Sequence, residues 1–124
     1  MKKVLCILLT AMMLLSFTAY AEPTGTAEGL TIAYSIPEMF STFWQACIYG
    51  FEKQCEEYGY EAIVLDPMGD TELQVSQLLN QVTMGVDAIV CSPIDKTTIG
   101  PTVDEINAAG VPVFCIDRRG EGNV

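Results

Sequence analysis

An acid and an arginine stand side by side at Asp117 and Arg118, delivered by the apolar run 111–116. An ionised carboxylate only accepts hydrogen bonds and a guanidinium only donates them. Together they suit a neutral ligand whose hydroxyls do both. A second pair, Phe43 and Trp44, follows the first apolar run after residue 29. The flat apolar faces of a pyranose or furanose ring stack on aromatic rings, while polar neighbours fix the orientation. The two pairs predict a clasp for a small hydroxyl-rich ring. Other chemistries find no footing. The chain has no His, so neither a Ser/His/Asp nor a Cys/His set can be assembled. No Cys-x-x-Cys pair and no Gly-rich phosphate loop is present, and zinc, thiol-redox and nucleotide readings lose their motifs. No catalytic residue, metal ligand or cofactor is assigned.

Each singled-out residue also has a plainer reading. Asp117 and Arg118 could form a surface ion pair at a strand end, which is worth little. Trp44 is in helical phase with Cys47, Ile48 and Phe51, which also fits a core position. Phe43 lies off that stripe and faces the preceding loop. Ser41 either caps the helix or offers its hydroxyl to a ligand, with capping the simpler role. Asp95 is open between capping and pocket lining. Asp66 and Asp70 flank Pro67, Met68 and Gly69 as turn residues, and Arg119 points to solvent.

The chain opens as an export leader does. Lys2 and Lys3 precede an apolar run over 4–15, and Ala19, Tyr20 and Ala21 supply a small-x-small cleavage site. The run is shorter than the ~20 apolar residues of a membrane-spanning helix, so a signal peptide over 1–21 is expected, with no membrane span left after cleavage. Residues 22–124 are then an exported domain of ordinary size. All 16 acids lie in that part, where Lys53, Lys96, Arg118 and Arg119 are the bases. Such an acidic surface excludes nucleic acid and anionic membranes as partners, since both require a basic footprint. Of the cysteines that follow the leader, Cys47 and Cys55 would sit about 12 Å apart along a helix, too far to bridge. Cys91 and Cys115 fall near the ends of apolar strands, where a free thiol acts as a small hydrophobe. One disulfide is open to this chain in an oxidising compartment, with buried thiols the favoured state.

Behind the candidate residues the elements alternate. Strands are predicted over 30–36, 60–65, 87–91 and 111–116. Helices start near Phe43, Thr71 and Ile99 and stop at Gly59, Gly85 and Gly110. Thr71 and Gln74 have the spacing of a capping box, and Pro101 is tolerable in the first turn of the third helix. The strands are blocky rather than alternating, as strands covered on both faces are. The fold class is therefore α/β, a parallel sheet with helices on both faces and right-handed crossovers. Ligands of such sheets bind beyond the carboxyl ends of the strands. Phe43 and Trp44 follow the first strand, and Asp117 and Arg118 the fourth, so the tips of strands one and four are expected to converge on one notch.

These segments resemble the beginning of a periplasmic sugar-binding protein of the ribose/galactose-binding (type I) class, which feeds ABC transporters. The resemblance is carried by Leu30–Ala33, Ser41–Trp44 leading to Gly50, Glu57–Tyr60, Val64–Asp66, Gly85–Val90, Ser92 and Pro93, and Ala109–Arg118. It covers essentially the whole part after the leader, and the run from Gly110 to Arg118 is its most specific portion. It implies that Phe43 and Trp44 line the sugar and that Asp117 and Arg118 hydrogen-bond its hydroxyls and ring oxygen. Ser41 stands where relatives often have Asn, and Thr42 where they have Pro, a departure that bears on which sugar fits.

The resemblance further implies a non-catalytic, extracytoplasmic substrate-binding component, with a monosaccharide or related polyol as ligand and an ABC permease as partner. Such proteins have two lobes that close over the sugar. The chain ends at Val124, so residues 22–124 are expected to be an incomplete N-terminal lobe with four strands, without the second lobe and with an exposed edge at strand four. A sensor presenting a sugar or furanose signal to a chemoreceptor or kinase is the alternative, and a small exported α/β enzyme a weaker one. A cytoplasmic repressor shares the lobe but would carry a DNA-binding head instead of a leader.

Overall fold

The computed structural model describes residues 29–124; the expected leader over 1–21 lies outside them. The elements are β1 (Thr31–Ser35), α1 (Thr42–Tyr58), β2 (Glu61–Leu65), α2 (Thr71–Met84), β3 (Ala88–Cys91), α3 (Ile99–Ala108) and β4 (Val113–Cys115). All strand pairs are parallel and the sheet order is β2-β1-β3-β4. From β1 the chain steps to one side, then crosses back over β1 to place β3 and β4 on the other. The order therefore reverses between β1 and β3.

Side-chain alternation along the strands feeds two cores. Tyr34 and Ile36 pack with Trp44 and Ile48 of α1 on one face. Ala33, Leu65, Ile89 and Cys91 pack with Leu78 of α2 and with Ile99, Val103 and Ile106 of α3 on the other. Both faces of the central strands are covered, which accounts for strands too apolar to alternate, whereas Phe114 on β4 is left exposed. Helices α1 and α2 end where Gly59 (φ 71°) and Gly85 (φ 82°) adopt the left-handed cap, and each cap amide bonds back into the last turn. Among the described residues no helix is long and apolar enough to cross a membrane.

The expected elements are all present, with two corrections. Strand β4 is shorter than the predicted 111–116, because its ladder to β3 pairs only Val113, Phe114 and Cys115. The capping box at Thr71 does not form. Asp70 caps α2 instead, its carboxylate accepting from the Leu73 amide at 2.9 Å, which leaves Gln74 free for another role.

Leu78 is fully buried at the centre of the larger core. Leu78→Ala removes apolar contacts and leaves a cavity, so a loss of about 2–5 kcal/mol is expected from urea unfolding. Tyr49→Ala, at a position 65% exposed, is expected to change stability by less than about 0.5 kcal/mol.

Candidate functional site at the carboxyl end of the sheet

Gln74 organises this end of the molecule. It is fully buried in the first turn of α2. Its Nε2 donates to Ser35 Oγ at 3.0 Å and to the Ser92 carbonyl at 3.1 Å, and its Oε1 accepts from the Ile94 amide at 3.0 Å. The end of β1 is thereby tied to the loop after β3, across the point where strand order reverses. The Ser92 amide adds a bond to the Ser35 carbonyl at 2.8 Å. On the opposite face the Tyr34 hydroxyl shares a hydrogen bond with Ser92 Oγ at 3.4 Å. Burial is the main cause that raises the Tyr34 pKa; the Ser92 bond opposes it, and Cys47, Asp117 and Cys91 add smaller upward pushes. Tyr34 thus has its ring in the α1 core and its hydroxyl within reach of the Asp117 field.

The loop between β1 and α1 is held along its length. Glu38 accepts from the amides of Phe40 and Ser41, and Gln45 Nε2 donates to the Met39 carbonyl at 3.1 Å. Ser41 is the N-cap of α1, its Oγ accepting from the Phe43 amide at 3.2 Å, so the capping role holds. Phe43 is 54% exposed, whereas Trp44 is 6% exposed among Tyr34, Ile36 and Ile48. The two rings meet edge to face, with centroids 4.9 Å apart and planes at 74°. Trp44 occupies its core position and braces Phe43, which alone of the pair offers open ring surface.

Asp117 and Arg118 sit at the tip of β4. Asp117 has φ 63°, and the Arg118 amide donates to the Ile116 carbonyl at 2.7 Å. A three-residue turn with positive φ at a non-glycine centre is rare and strained. Arg118 Nε lies 3.7 Å from Asp117 Oδ2, with 53% and 41% of the two side chains exposed. That is a loose ion pair rather than a hydrogen bond, so most of the polar capacity of both groups faces solvent. They line an open groove of about 320 Å³ with Phe114, Cys115, Arg119 and Val124. Arg119 also lines a neighbouring groove of about 430 Å³ with Lys96 and 120–122, so it belongs to the rim rather than to solvent alone. Asp95 caps the turn that leads into α3 rather than the helix itself, whose N-cap is Thr98: the amides of Thr98 and Thr97 hold its carboxyl below the usual range.

The expected direct convergence of strands one and four needs correcting, because β3 lies between them. Two inter-strand spacings, about 10 Å, separate the strand tips, and neither Phe43 nor Trp44 lines the groove at Asp117 and Arg118. The loop at Ser92 and Pro93 fills the interval. Gln74 was missed as a site-building residue, since its spacing to Thr71 matched a capping box. Its signal was an amide placed among apolar residues at the start of a helix.

The sequence profile of the family described as periplasmic binding protein domain matches residues 32–124. The chain belongs to that family. It is similar to the ribose import binding protein RbsB of Bacillus subtilis (strain 168), with 31% identity over 98% of this chain and 42% of that protein. Among solved structures, an ABC transporter solute binding protein from Bacillus halodurans C-125 with bound myo-inositol has 28% identity and a TM-score of 0.69, covering 78% of this chain and 34% of the other. A galactofuranose binding protein has 29% identity and a TM-score of 0.66, covering 77% and 31%. The chain therefore spans less than half the length of these relatives. Its four-stranded parallel sheet is the lobe architecture that they share.

Replacing Gln74 by Leu strands the Ile94 amide and removes the donor to Ser35 and Ser92. A cost of about 1–3 kcal/mol for each group left unpaired is expected, measured as a lower urea midpoint. A midpoint within error of the parent would contradict the clamp.

Proposed function

We propose that the chain is the N-terminal lobe of an exported, non-catalytic binding component of an ABC importer whose ligand is a monosaccharide or related polyol. The observation that carries the reading is the Asp117 turn. Backbone strain of this kind persists where surrounding structure enforces it, and it collects at ligand sites. Here it coincides with an acceptor-only and a donor-only side chain, both largely unpaired, beyond the carboxyl end of a parallel sheet. The named ligands of the relatives, ribose, galactofuranose and myo-inositol, all carry dense hydroxyls. None carries a charge that would need a permanent counter-ion.

In this reading Asp117 accepts from two adjacent hydroxyls, Arg118 donates to a hydroxyl or ring oxygen, and Phe43 covers an apolar ring face. Ser41 retains its hydroxyl proton for one further contact. Trp44 acts through Phe43. A second lobe closing about a hinge would bury the sugar and strengthen each of these bonds by excluding water. An apolar leader removed on export accounts for the charge-poor first segment, and an ABC permease is the docking partner of the closed form.

Calorimetric titration of ribose and myo-inositol into the protein joined to its second lobe tests the assignment. Losing a hydrogen bond to a charged group costs about 1.5–3 kcal/mol, so Asp117→Ala is expected to weaken binding roughly 10- to 100-fold. Phe43→Ala is expected to weaken it roughly 10-fold. Unchanged affinity in both variants would contradict the site.

A further inference from the structure

Strands β3 and β4 carry a cysteine each at directly opposed positions, Cys91 and Cys115. Neighbouring strands lie about 4.8 Å apart, inside the Cα separation that a disulfide spans. Both side chains belong to the face covered by α2 and α3, Cys91 within that core and Cys115 packed against it. Both thiols are free, and each shifts the pKa of the other. Cys47 and Cys55 differ: they lie on α1, eight positions apart, beyond bonding reach.

The pair is asymmetric in the way a redox couple requires. Cys91 has no exposed surface. Cys115 is half-buried and lines the groove beside Asp117 and Arg118. The chain beyond β4 folds back over it. Glu121 donates its amide to the Lys96 carbonyl at 2.8 Å. A Cβ at Gly120 would stand 3.0 Å from Cys115 Sγ and 3.1 Å from Ile99 Cγ2, so any side chain there would force these neighbours to give way. The Cys91 thiol is the main influence that holds the Cys115 thiol below its ordinary pKa; burial opposes it, and the Gly120 amide adds a smaller lowering. The neighbouring Cys115 thiol, together with burial, pushes Cys91 up. A half-buried sulfur directly opposite a second thiol, with a groove in front of it, is more than a core-filling thiol.

We propose that Cys91 and Cys115 form a redox-active dithiol that a small-molecule disulfide converts into a cross-strand bond. The Cys115 thiolate, its proton lost to solvent, attacks one sulfur of the oxidant; a mixed disulfide forms and one oxidant thiolate leaves. Cys91 then passes its proton to a departing thiolate, and its sulfur attacks Cys115 Sγ. The second half of the oxidant is expelled. Two electrons move from the cysteines to the oxidant, which ends as two reduced thiol equivalents. The product joins β4 to β3 two residues before Asp117.

Oxidised glutathione is the probe, applied to the full chain and read by peptide mapping with mass spectrometry. The expected product is an intramolecular bond between Cys91 and Cys115, with Cys47 and Cys55 left as thiols. Cys91→Ser should trap a stable glutathione adduct on Cys115, because the resolving sulfur is gone. Cys115→Ser should leave Cys91 unmodified, because it is sealed in the core. Circular dichroism of each variant against the parent confirms that the fold is kept. Should either variant unfold, the parent decides alone, through the pairing formed and through a raised urea midpoint of the oxidised form. Scrambled pairings, intermolecular bonds, an adduct on Cys91 or no oxidation of the pair would each overturn the proposal.

Discussion

Where strand order reverses in a parallel sheet, the loops of the two central strands leave toward opposite faces, and the backbone between them loses its ladder partners. A buried polar group has to take up those bonds, because an unpaired donor or acceptor in the interior costs more than a made bond returns. Gln74 does this with one amide. It reaches from α2 to Ser35, Ser92 and Ile94, so the ends of β1 and β3 and the start of α2 move as one unit. Every candidate ligand contact is mounted on that unit or one strand away from it.

Around this clamp the site divides its work between rigid support and exposed contact. Trp44 is spent on the core so that Phe43 can stand out of it. Ser41 and Glu38 use their oxygens on loop amides and thereby aim the ring. At the other end, Asp117 occupies a backbone conformation that it would not choose in isolation, and its carboxylate is not absorbed by the arginine beside it. Three of the bases, Lys96, Arg118 and Arg119, gather at this rim. The rim is therefore less acidic than the rest of a chain with net charge −10, which suits ligands with lone pairs to offer.

Much of this was legible in the residues. Blocky strands and glycine-terminated helices gave the element order, because burial on both faces and left-handed caps leave local marks. The phase of Trp44 with Ile48 already pointed to the core, and Asp117 following an apolar strand already marked a loop at the carboxyl end. What stayed hidden depended on which strands are neighbours. Local patterns do not encode that β3 separates β1 from β4, that Gln74 meets three partners 18 to 39 positions away, or that Cys91 faces Cys115. Thr71 and Gln74 misled for the same reason: a capping box and a buried bridging amide share one spacing, and only the tertiary setting separates them.

Membership of the periplasmic binding protein domain family is settled by residues 32–124, and the central claim left to measurement is that this rim grips a sugar. A crystal structure of the protein joined to its second lobe, grown with ribose or myo-inositol, reads that contact directly. The account predicts ligand hydroxyls within hydrogen-bond distance of both Asp117 and Arg118, and the ring face against Phe43. A ligand bound with Asp117 still facing solvent, or held only by the groove at Lys96 and Glu121, would contradict it.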